Sequence, residues 1–586
     1  MKGNGKRQFV LSSTLLGMVG AIREQRLLIL DTLILGVVGA LSAQFFSILL
    51  RIAQKVFLGW MAGYQPPGLP NEGGSLTSSI GSHGLWLIPV VTTLGGLITG
   101  LLVYSLAPEA EGHGTDAAVK AFHRRAGLIR ARIPWIKMVA SAITLGSGGA
   151  AGREGPTALI SAGVGSIYAT LQKRTERERR LLVLIGMASG LAAIFRSPIG
   201  TAFFAIEVLY GGMEFEAGSL LYTMLGSIVA YAVNGLFSGY TPLFQVPAGL
   251  AAPGFIGFLW YVILGIAAGL VAAIIPTVFY GMRDLFAAIP IPPHFKPGFG
   301  GLGVGLLALQ LPQVLGGGYG WIQLAILGRM PGDLMLILVF AMILAYSLTI
   351  SSGGSGGVFA PSLFVGAMLG GFLGQVFHQP AAAFVVVGMA AVFGGAARVP
   401  IATLLMVTEM TGGYTLLVPA GLAVMLCYLV QVALTSRLKY KSLYEAQVTE
   451  RSESPAHQVE HMETALDMLA RHHVVMPNST TPIDLRALMV SGIPIQLPDE
   501  KIIVIGVLKA TSPFVRKDLQ FCYELQDTDD FELIAVVRQG HTILPHPNMT
   551  FQAGDRFLCL TTQQIWKQLA SNFAPLKEVI GDNLNS

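Results

Sequence analysis

The sequence has few charged residues. Lys, Arg, Asp and Glu make up 12% of its 586 residues, whereas soluble globular chains carry about 25%. Hydrophobic residues make up 53%. This balance excludes an ordinary soluble enzyme and a disordered chain, because both need far more polar surface. It predicts an integral membrane protein with several spans.

Cysteine is also scarce. Cys427, Cys522 and Cys559 are the three cysteines, and they lie too far apart to form a metal-binding or disulfide motif. The membrane part has no nucleophile paired with a base. We therefore expect no metal, no cofactor and no enzyme activity.

The charge is divided unevenly along the chain. Residues 1–446 carry a net charge of +11 and residues 447–586 carry −6, which predicts a membrane body followed by an acidic soluble tail. We assign residues 1–27 to an N-terminal segment, 28–446 to the membrane domain, 447–500 to a helical linker and 501–586 to a small α+β domain. The basic balance comes from the membrane body, so we expect lipid and no nucleic acid as a partner.

Basic clusters indicate the orientation in the membrane. They occupy residues 2–26, 124–137, 173–180 and 437–441. By the positive-inside rule these segments are cytoplasmic. The sequence therefore predicts an inner (plasma) membrane protein with both termini in the cytoplasm.

The membrane body repeats itself. Residues 146–156 match residues 351–361 at a shift of 205, and the segment starting at Gly186 matches the one starting at Gly388 at a shift of 202. This predicts an all-α membrane fold with two homologous halves, about 28–240 and 250–445. Duplicated halves are typical of transporters with a substrate site at the interface of the halves.

Two Gly-rich loops of the repeat predict an anion site. Residues 152–156 read Gly-Arg-Glu-Gly-Pro, and residues 357–361 read Gly-Val-Phe-Ala-Pro. Pro near the start of an apolar run favours a helix N-terminus, whose free N–H groups attract anions. A carboxylate within the membrane indicates function. Glu154 is therefore predicted to occupy the anion site and to leave it when protonated.

These motifs resemble those of the CLC chloride channels and proton/chloride exchangers. Tyr444 and the Glu-Met-Thr stretch at residues 409–411 are similar to two further family motifs. The resemblance implies a homodimer with one chloride pathway per subunit and inverted halves. It also implies chloride-binding residues, with Glu154 as the gate; they are Gly112, His113, Gly114, Arg153, Gly155, Gly357, Val358, Phe359 and Tyr444.

Two positions depart from the family pattern. The family usually has Gly-Ser-Gly-Ile-Pro at the loop where this chain has Gly112, His113 and Gly114. Either the backbone of this loop or the His113 imidazole then contacts the anion, and the sequence leaves both open. The second departure is Val208, which stands where proton-coupled members usually carry a glutamate. This favours passive, channel-like chloride flow; the alternative is a chloride/proton antiporter.

The tail resembles a different family. Residues 536–540 (Val-Val-Arg-Gln-Gly) and 552–555 (Gln-Ala-Gly-Asp) are similar to the TrkA C-terminal (RCK-C) domain. The resemblance implies regulation and dimerisation and leaves a nucleotide ligand open. It also suggests a remote alternative, a potassium transporter.

Overall fold

The computed structural model describes residues 4–247, 254–457, 495–496, 501–517, 531–538, 541–543, 545 and 549–574. The chain separates into two compact units, Met1–Glu450 and Arg451–Ser586. Most of the linker predicted for residues 447–500 falls outside the described residues, as do Gln539 and Gly540 of the tail motif.

The first unit consists mainly of helices. In chain order they are α1 Asn4–Gln54, α2 Ile88–Leu106, α3 Thr115–Arg124, α4 Arg132–Gly146, α5 Glu154–Leu171, α6 Glu176–Phe195, α7 Pro198–Glu207, α8 Leu220–Ser238, α9 Phe255–Ala288, α10 Lys296–Ala308, α11 Tyr319–Ile326, α12 Gly332–Ser351, α13 Phe359–Val376, α14 Ala381–Ala396, α15 Pro400–Thr411 and α16 Leu417–Thr435. A short antiparallel pair, β1 Tyr64–Gln65 and β2 Ser79–Ile80, lies between α1 and α2.

Seven helical segments among the described residues are long and apolar enough to cross a bilayer. They are Arg26–Met61, Ile88–Leu106, Ala217–Ser238, Phe255–Ala288, Gly332–Ser351, Phe359–Val376 and Tyr414–Thr435. Others, such as α7 and α15, are apolar but shorter. The prediction of a mostly helical protein with several membrane spans is confirmed.

The sequence repeat coincides with a repeat of helices. α5 begins at Glu154, and α13 begins 205 residues later at Phe359. α7 begins at Pro198, and α15 begins 202 residues later at Pro400. Both segments are preceded by an arginine in the left-handed conformation, with φ of 55° at Arg196 and 56° at Arg398. The segments that contain α5 and α7 therefore have the same local backbone conformation as those that contain α13 and α15.

Helices α7 and α15 pack antiparallel, each with its first turn capped by the other. The Glu207 carboxylate, at the end of α7, accepts backbone hydrogen bonds of 3.1 and 2.6 Å from Ile401 and Ala402. The Glu409 carboxylate, near the end of α15, accepts bonds of 3.2 and 2.8 Å from the backbone of Ile199 and Gly200. A reciprocal contact of this kind relates the two halves by an approximate two-fold axis with opposite helix directions.

The second unit contains an antiparallel sheet. Its strands are β3 Ile495–Gln496, β4 Lys501–Leu508, β5 Phe531–Arg538, β6 His541–Ile543, β7 Arg556–Thr562 and β8 Phe573–Ala574, and a helix, α17 Gln563–Leu569, follows β7. The order is β3-β4-β7-β5-β6, with β8 paired to β4. Phe551, Phe557 and Cys559 are buried in its core.

The two motifs quoted for the tail meet in space. Arg538 Nε and a terminal nitrogen donate to the two carboxylate oxygens of Asp555 at 2.8 and 2.7 Å. The amide of Gln552 donates to the same carboxylate at 2.8 Å. The hydrogen bonds and charge of Asp555 raise the pKa of Arg538 above its usual value. This ion pair joins the end of β5 to the turn before β7.

Candidate functional site

Three loops meet in the membrane body. Gly152 and Gly357 exchange backbone hydrogen bonds of 2.7 and 2.6 Å, which join the loops before α5 and α13. The Gly112 amide donates to the Gly354 carbonyl at 3.0 Å, which adds the loop before α3. The sequence-predicted residues of all three loops therefore lie at one place.

Glycine is required where these loops approach each other. A Cβ atom on Gly155 would lie 2.0 Å from the His113 carbonyl oxygen. Gly114 has a φ of +85° and would bring a Cβ to 2.6 Å from the Gly155 carbonyl oxygen. Any larger residue at either position would separate the loops.

Free helix amides face this meeting point from two sides. α5 and α13 begin at Glu154 and Phe359, directly after the paired loops, and the first N–H groups of a helix have no partner within it. Gly112 and Gly357 use their own amides in the loop–loop bonds. They shape the site, while the amides at the start of the helices are available to an anion.

The Glu154 side chain lies at the start of the opposite helix. Its carboxylate interacts with the backbone amide of Ala360, in the first turn of α13, while Oε2 has no hydrogen-bond partner among the described residues. Glu154 itself is buried, with 1% of its surface exposed. A carboxylate at this helix start takes the position that a dissolved anion would take.

A network of polar groups holds Glu154 from one side. The Tyr319 hydroxyl donates a hydrogen bond to Oε1 of Glu154. Arg153 Nε lies 3.9 Å from the same oxygen. The guanidinium also binds both carboxylate oxygens of Glu72, at 3.2 and 2.5 Å, and lies 5.2 Å from the Tyr319 ring centre. The Arg153 side chain is thus directed to Glu72 as well as to the gate.

A small cavity opens on this network. It measures about 150 Å³, and Glu72, Arg153, Gly317 and Tyr319 are among its lining residues. We call it the glutamate mouth.

A larger cavity opens on the loop before α3. It measures about 540 Å³, and its lining includes Gly112, His113, Gly114, Lys120 and Arg283. We call it the histidine mouth. Both basic and acidic side chains line it, so the wall of this cavity beside His113 is polar.

The His113 ring is buried at the inner end of the histidine mouth. It is 7% exposed, and its Nδ1 has no hydrogen-bond partner among the residues that the structure describes. Its ring centre lies 5.4 Å from that of Tyr444 and 6.0 Å from that of Phe279. Tyr444 lies in turn against Phe204, with 6.5 Å between ring centres, and Phe204 against Phe359 at 6.3 Å. The predicted ligands of the two halves therefore form one cluster.

Sequence reasoning missed two residues of the site. Lys137 was assigned to a cytoplasmic basic cluster, but it is fully buried and donates to the carbonyls of Ala110 and Gly112 at 3.0 and 2.7 Å. Tyr319, which follows three glycines, was not assigned to the site. A lysine inside an otherwise apolar helix and a tyrosine after three glycines were the available signals.

Val208 lies apart from the polar groups of the site. It follows Glu207 at the end of α7, is completely buried, and has an apolar side chain. Glu207, beside it, is committed to the first turn of α15.

Comparisons with known proteins agree on one family. The model described as "Voltage gated chloride channel" matches residues 95–432. The protein named H(+)/Cl(-) exchange transporter ClcA from Citrobacter koseri is 31% identical over 344 residues, 56% of this chain and 72% of the relative. The protein of the same name from Cronobacter sakazakii is 29% identical over 388 residues, 63% of this chain and 81% of the relative.

Solved structures show the same fold. A slow cyanobacterial Cl-/H+ antiporter has a TM-score of 0.62 at 20% identity, covering 70% of this chain and 95% of that one. A CLC-type fluoride/proton antiporter has a TM-score of 0.61 at 23% identity, covering 73% and 99%.

Proposed function

The chain belongs to the CLC family of voltage-gated chloride channels, and we propose that it exchanges chloride for protons across a membrane. The observation that carries the proposal is the Glu154 carboxylate at the start of α13. An ionised carboxylate and chloride compete for the same N–H groups. Protonation removes the charge of Glu154 and frees the position for chloride, so the two ions are linked at one site.

Exchange is favoured over passive flow by the relatives. The curated relatives are named H(+)/Cl(-) exchange transporters. Val208 was the reason to expect channel-like flow, and passive flow remains the second candidate because this side chain cannot bind a proton. The membership in an anion-transporting family leaves the potassium alternative without support.

The chloride ligands follow from the position of Glu154. We propose that chloride is held by the first amides of α13, at Val358 and Phe359, together with the Tyr444 hydroxyl and the loop of Gly112, His113 and Gly114. Gly155 supports this site through its contact with the His113 carbonyl. The buried Lys137 amine lies behind that loop; burial lowers its pKa to about 7, and its protonated form adds a positive charge that favours an anion.

We also propose the orientation of the membrane body, its oligomeric state and the role of the tail. The histidine mouth is lined by Lys120, Arg125 and Lys296, so it faces the cytoplasm under the positive-inside rule. The protein would then lie in the inner membrane, as a homodimer, with the tail in the cytoplasm. The tail sheet and the Arg538–Asp555 pair support a TrkA-C-like regulatory domain.

One liposome experiment tests the exchange. Purified protein is reconstituted with a chloride gradient and no pH gradient, and chloride and pH are recorded together. Exchange moves protons against their own gradient, whereas a passive channel moves chloride alone. Glu154→Ala must abolish the proton movement, while Asp333→Asn, at an exposed carboxylate on α12, must leave it unchanged. Proton movement that survives Glu154→Ala would contradict the proposed role of the gate.

The tail has its own test. A chain that ends at residue 450 keeps the whole membrane unit and should still carry chloride. A regulatory or dimerising tail changes the flux or the dimer when it is removed. Unchanged flux together with an unchanged dimer would contradict both roles.

A further inference from the structure

Exchange requires a group that takes up a proton from the histidine mouth. Glu154 is held near the other mouth, by Tyr319 and Arg153. Val208 has no titratable atom, and Glu207 already accepts two backbone hydrogen bonds at the start of α15. Neither Val208 nor Glu207 is therefore suited to pass a proton from the 540 Å³ cavity to the gate.

His113 has the required position. Its ring lines the histidine mouth, so water reaches it from that side. Nδ1 is buried and has no partner among the described residues, which leaves this nitrogen without any structural hydrogen bond. A buried imidazole nitrogen with no partner is uncommon, because leaving a buried polar atom unpaired is unfavourable. Burial, together with the charges of Lys137 and Arg283, lowers the pKa of His113 to about 3, so the ring is neutral at rest and releases an acquired proton readily.

His113 is connected to Glu154 in two ways. Its carbonyl oxygen packs against Gly155, the residue after the gate. Its ring lies 5.4 Å from the Tyr444 ring, and Tyr444 is close enough to Glu154 for their charges to interact. Tyr444 and the Gly155 backbone therefore lie between the imidazole and the carboxylate.

The charges around His113 link its proton to the anion. Titratable or charged groups lie around it on the neighbouring elements; they are Glu111 on its own loop, Asp116 on α3, Lys137 on α4, Tyr280 and Arg283 on α9, and Tyr444 and Glu445 after α16. Lys137 and Arg283 both repel a positive imidazolium. A chloride ion beside the ring offsets this repulsion. Proton uptake is therefore favoured when chloride is present.

We propose that His113 is the proton carrier between the histidine mouth and Glu154. This inference rests on the proposed exchange, and in it His113 carries the proton that is exchanged for chloride. A neutral imidazole accepts a proton from water in the cavity at a ring nitrogen and becomes an imidazolium. The N–H bond then breaks as the proton passes to the Glu154 carboxylate, forming a neutral carboxylic acid and restoring the neutral ring.

The test separates proton movement from chloride movement. His113→Gln keeps an N–H donor for chloride, but the amide side chain does not take up a proton in water near neutral pH. In the liposome assay the number of protons moved per chloride ion should fall at least about tenfold, and this ratio is compared at whatever chloride flux the variant retains. The matched control is His123→Gln, which changes another buried histidine, on α3, whose ring nitrogen contacts the Leu209 carbonyl at 3.0 Å. Its ratio should remain that of the wild type.

Each outcome decides the proposal. A wild type that pumps protons and a His113→Gln variant with the same proton-to-chloride ratio would overturn the carrier role and leave the exchange intact. A wild type that moves no protons would overturn both. If His113→Gln carries no chloride, His113→Ser is measured in its place. Loss of chloride flux in both variants would also overturn the proposal, since His113 would then be required for the anion itself.

Discussion

The two mouths of the pathway pair their polar groups differently. At the glutamate mouth, Tyr319 donates to Glu154, and Arg153 binds Glu72 while it approaches the gate. At the histidine mouth, a cavity more than three times as large reaches an imidazole whose Nδ1 has no partner within the described part of the chain. One end is closed by specific bonds, and the other is already open to water.

This difference assigns separate tasks to the two ends. Under the proposed function, the bonds that hold Glu154 must break before chloride passes, so we expect the glutamate mouth to set how often the pathway opens. Groups that line an open cavity determine which ions are attracted and in what protonation state. Changes at the glutamate mouth should therefore alter the pH dependence of transport and the rate of opening. Changes at the histidine mouth should alter the affinity for chloride and the coupling of chloride to protons.

The largest effect is expected for Glu154→Gln. The amide mimics the protonated carboxyl group, so the gate no longer competes with chloride as an anion. Wild-type transport should rise as the external pH falls, and the variant should lose this dependence together with at least about a hundredfold of the proton movement. Flux at a series of external pH values checks this, and a variant that kept the wild-type pH profile would show that Glu154 is not the gate.

A smaller effect is expected for Lys137→Met at the other end. The change removes two charge-assisted hydrogen bonds to the loop before α3 and a positive charge behind it. Each such bond contributes about 1.5–3 kcal/mol, so chloride affinity should fall at least about tenfold. Calorimetric titration with chloride measures it. Lys120→Met, at an exposed lysine that lines the same cavity, is the control; equal losses in both variants would argue against a special role for the buried amine.

Tyr319→Phe should weaken the closed gate and leave the histidine mouth unchanged. The variant keeps the ring beside Arg153 and loses the hydroxyl that donates to Glu154. A hydrogen bond to a charged group contributes about 1.5–3 kcal/mol, so flux at high pH should rise by about tenfold. Tyr346→Phe, at another buried tyrosine on α12, is the matched control. Lower flux in Tyr319→Phe would mean that the hydroxyl assists opening.

The smallest change in flux is expected for Glu72→Gln, which should lower the flux, whereas Tyr319→Phe should raise it. Burial alone would raise the pKa of Glu72, but the charge and hydrogen bonds of Arg153 lower it below its usual value. The pair is therefore ionised above about pH 4.3 and is lost only as the pH falls through the lowered pKa. The Glu72 side chain is one-third exposed, so the pair contributes at most about 1 kcal/mol. Without it Arg153 turns to Glu154, and flux at neutral pH should fall a few-fold; increased flux would contradict this.

The sequence predicted the backbone of the site better than its side-chain network. The repeat indicated both Gly-rich loops, and their pairing through Gly152 and Gly357 follows from the symmetry of two similar segments. Tyr319 could not be assigned in the same way, because it lies 165 residues from Glu154 and contacts it only through the packing of α11. Lys137 was misinterpreted for a related reason, since basic residues near a helix start usually indicate topology and its burial depends on carbonyls of another segment.

The reciprocal caps of Glu207 and Glu409 have a consequence for how the chain is synthesised. The first turn of α7 stays uncapped until residue 409 has left the ribosome, about 200 residues later. At about 5–20 residues per second this takes about 10–40 s. We therefore expect the first half to remain incompletely folded in the bilayer until the second half is synthesised. Each half then supplies the helix cap that the other lacks. Separately expressed halves should be degraded when alone and become stable when produced together.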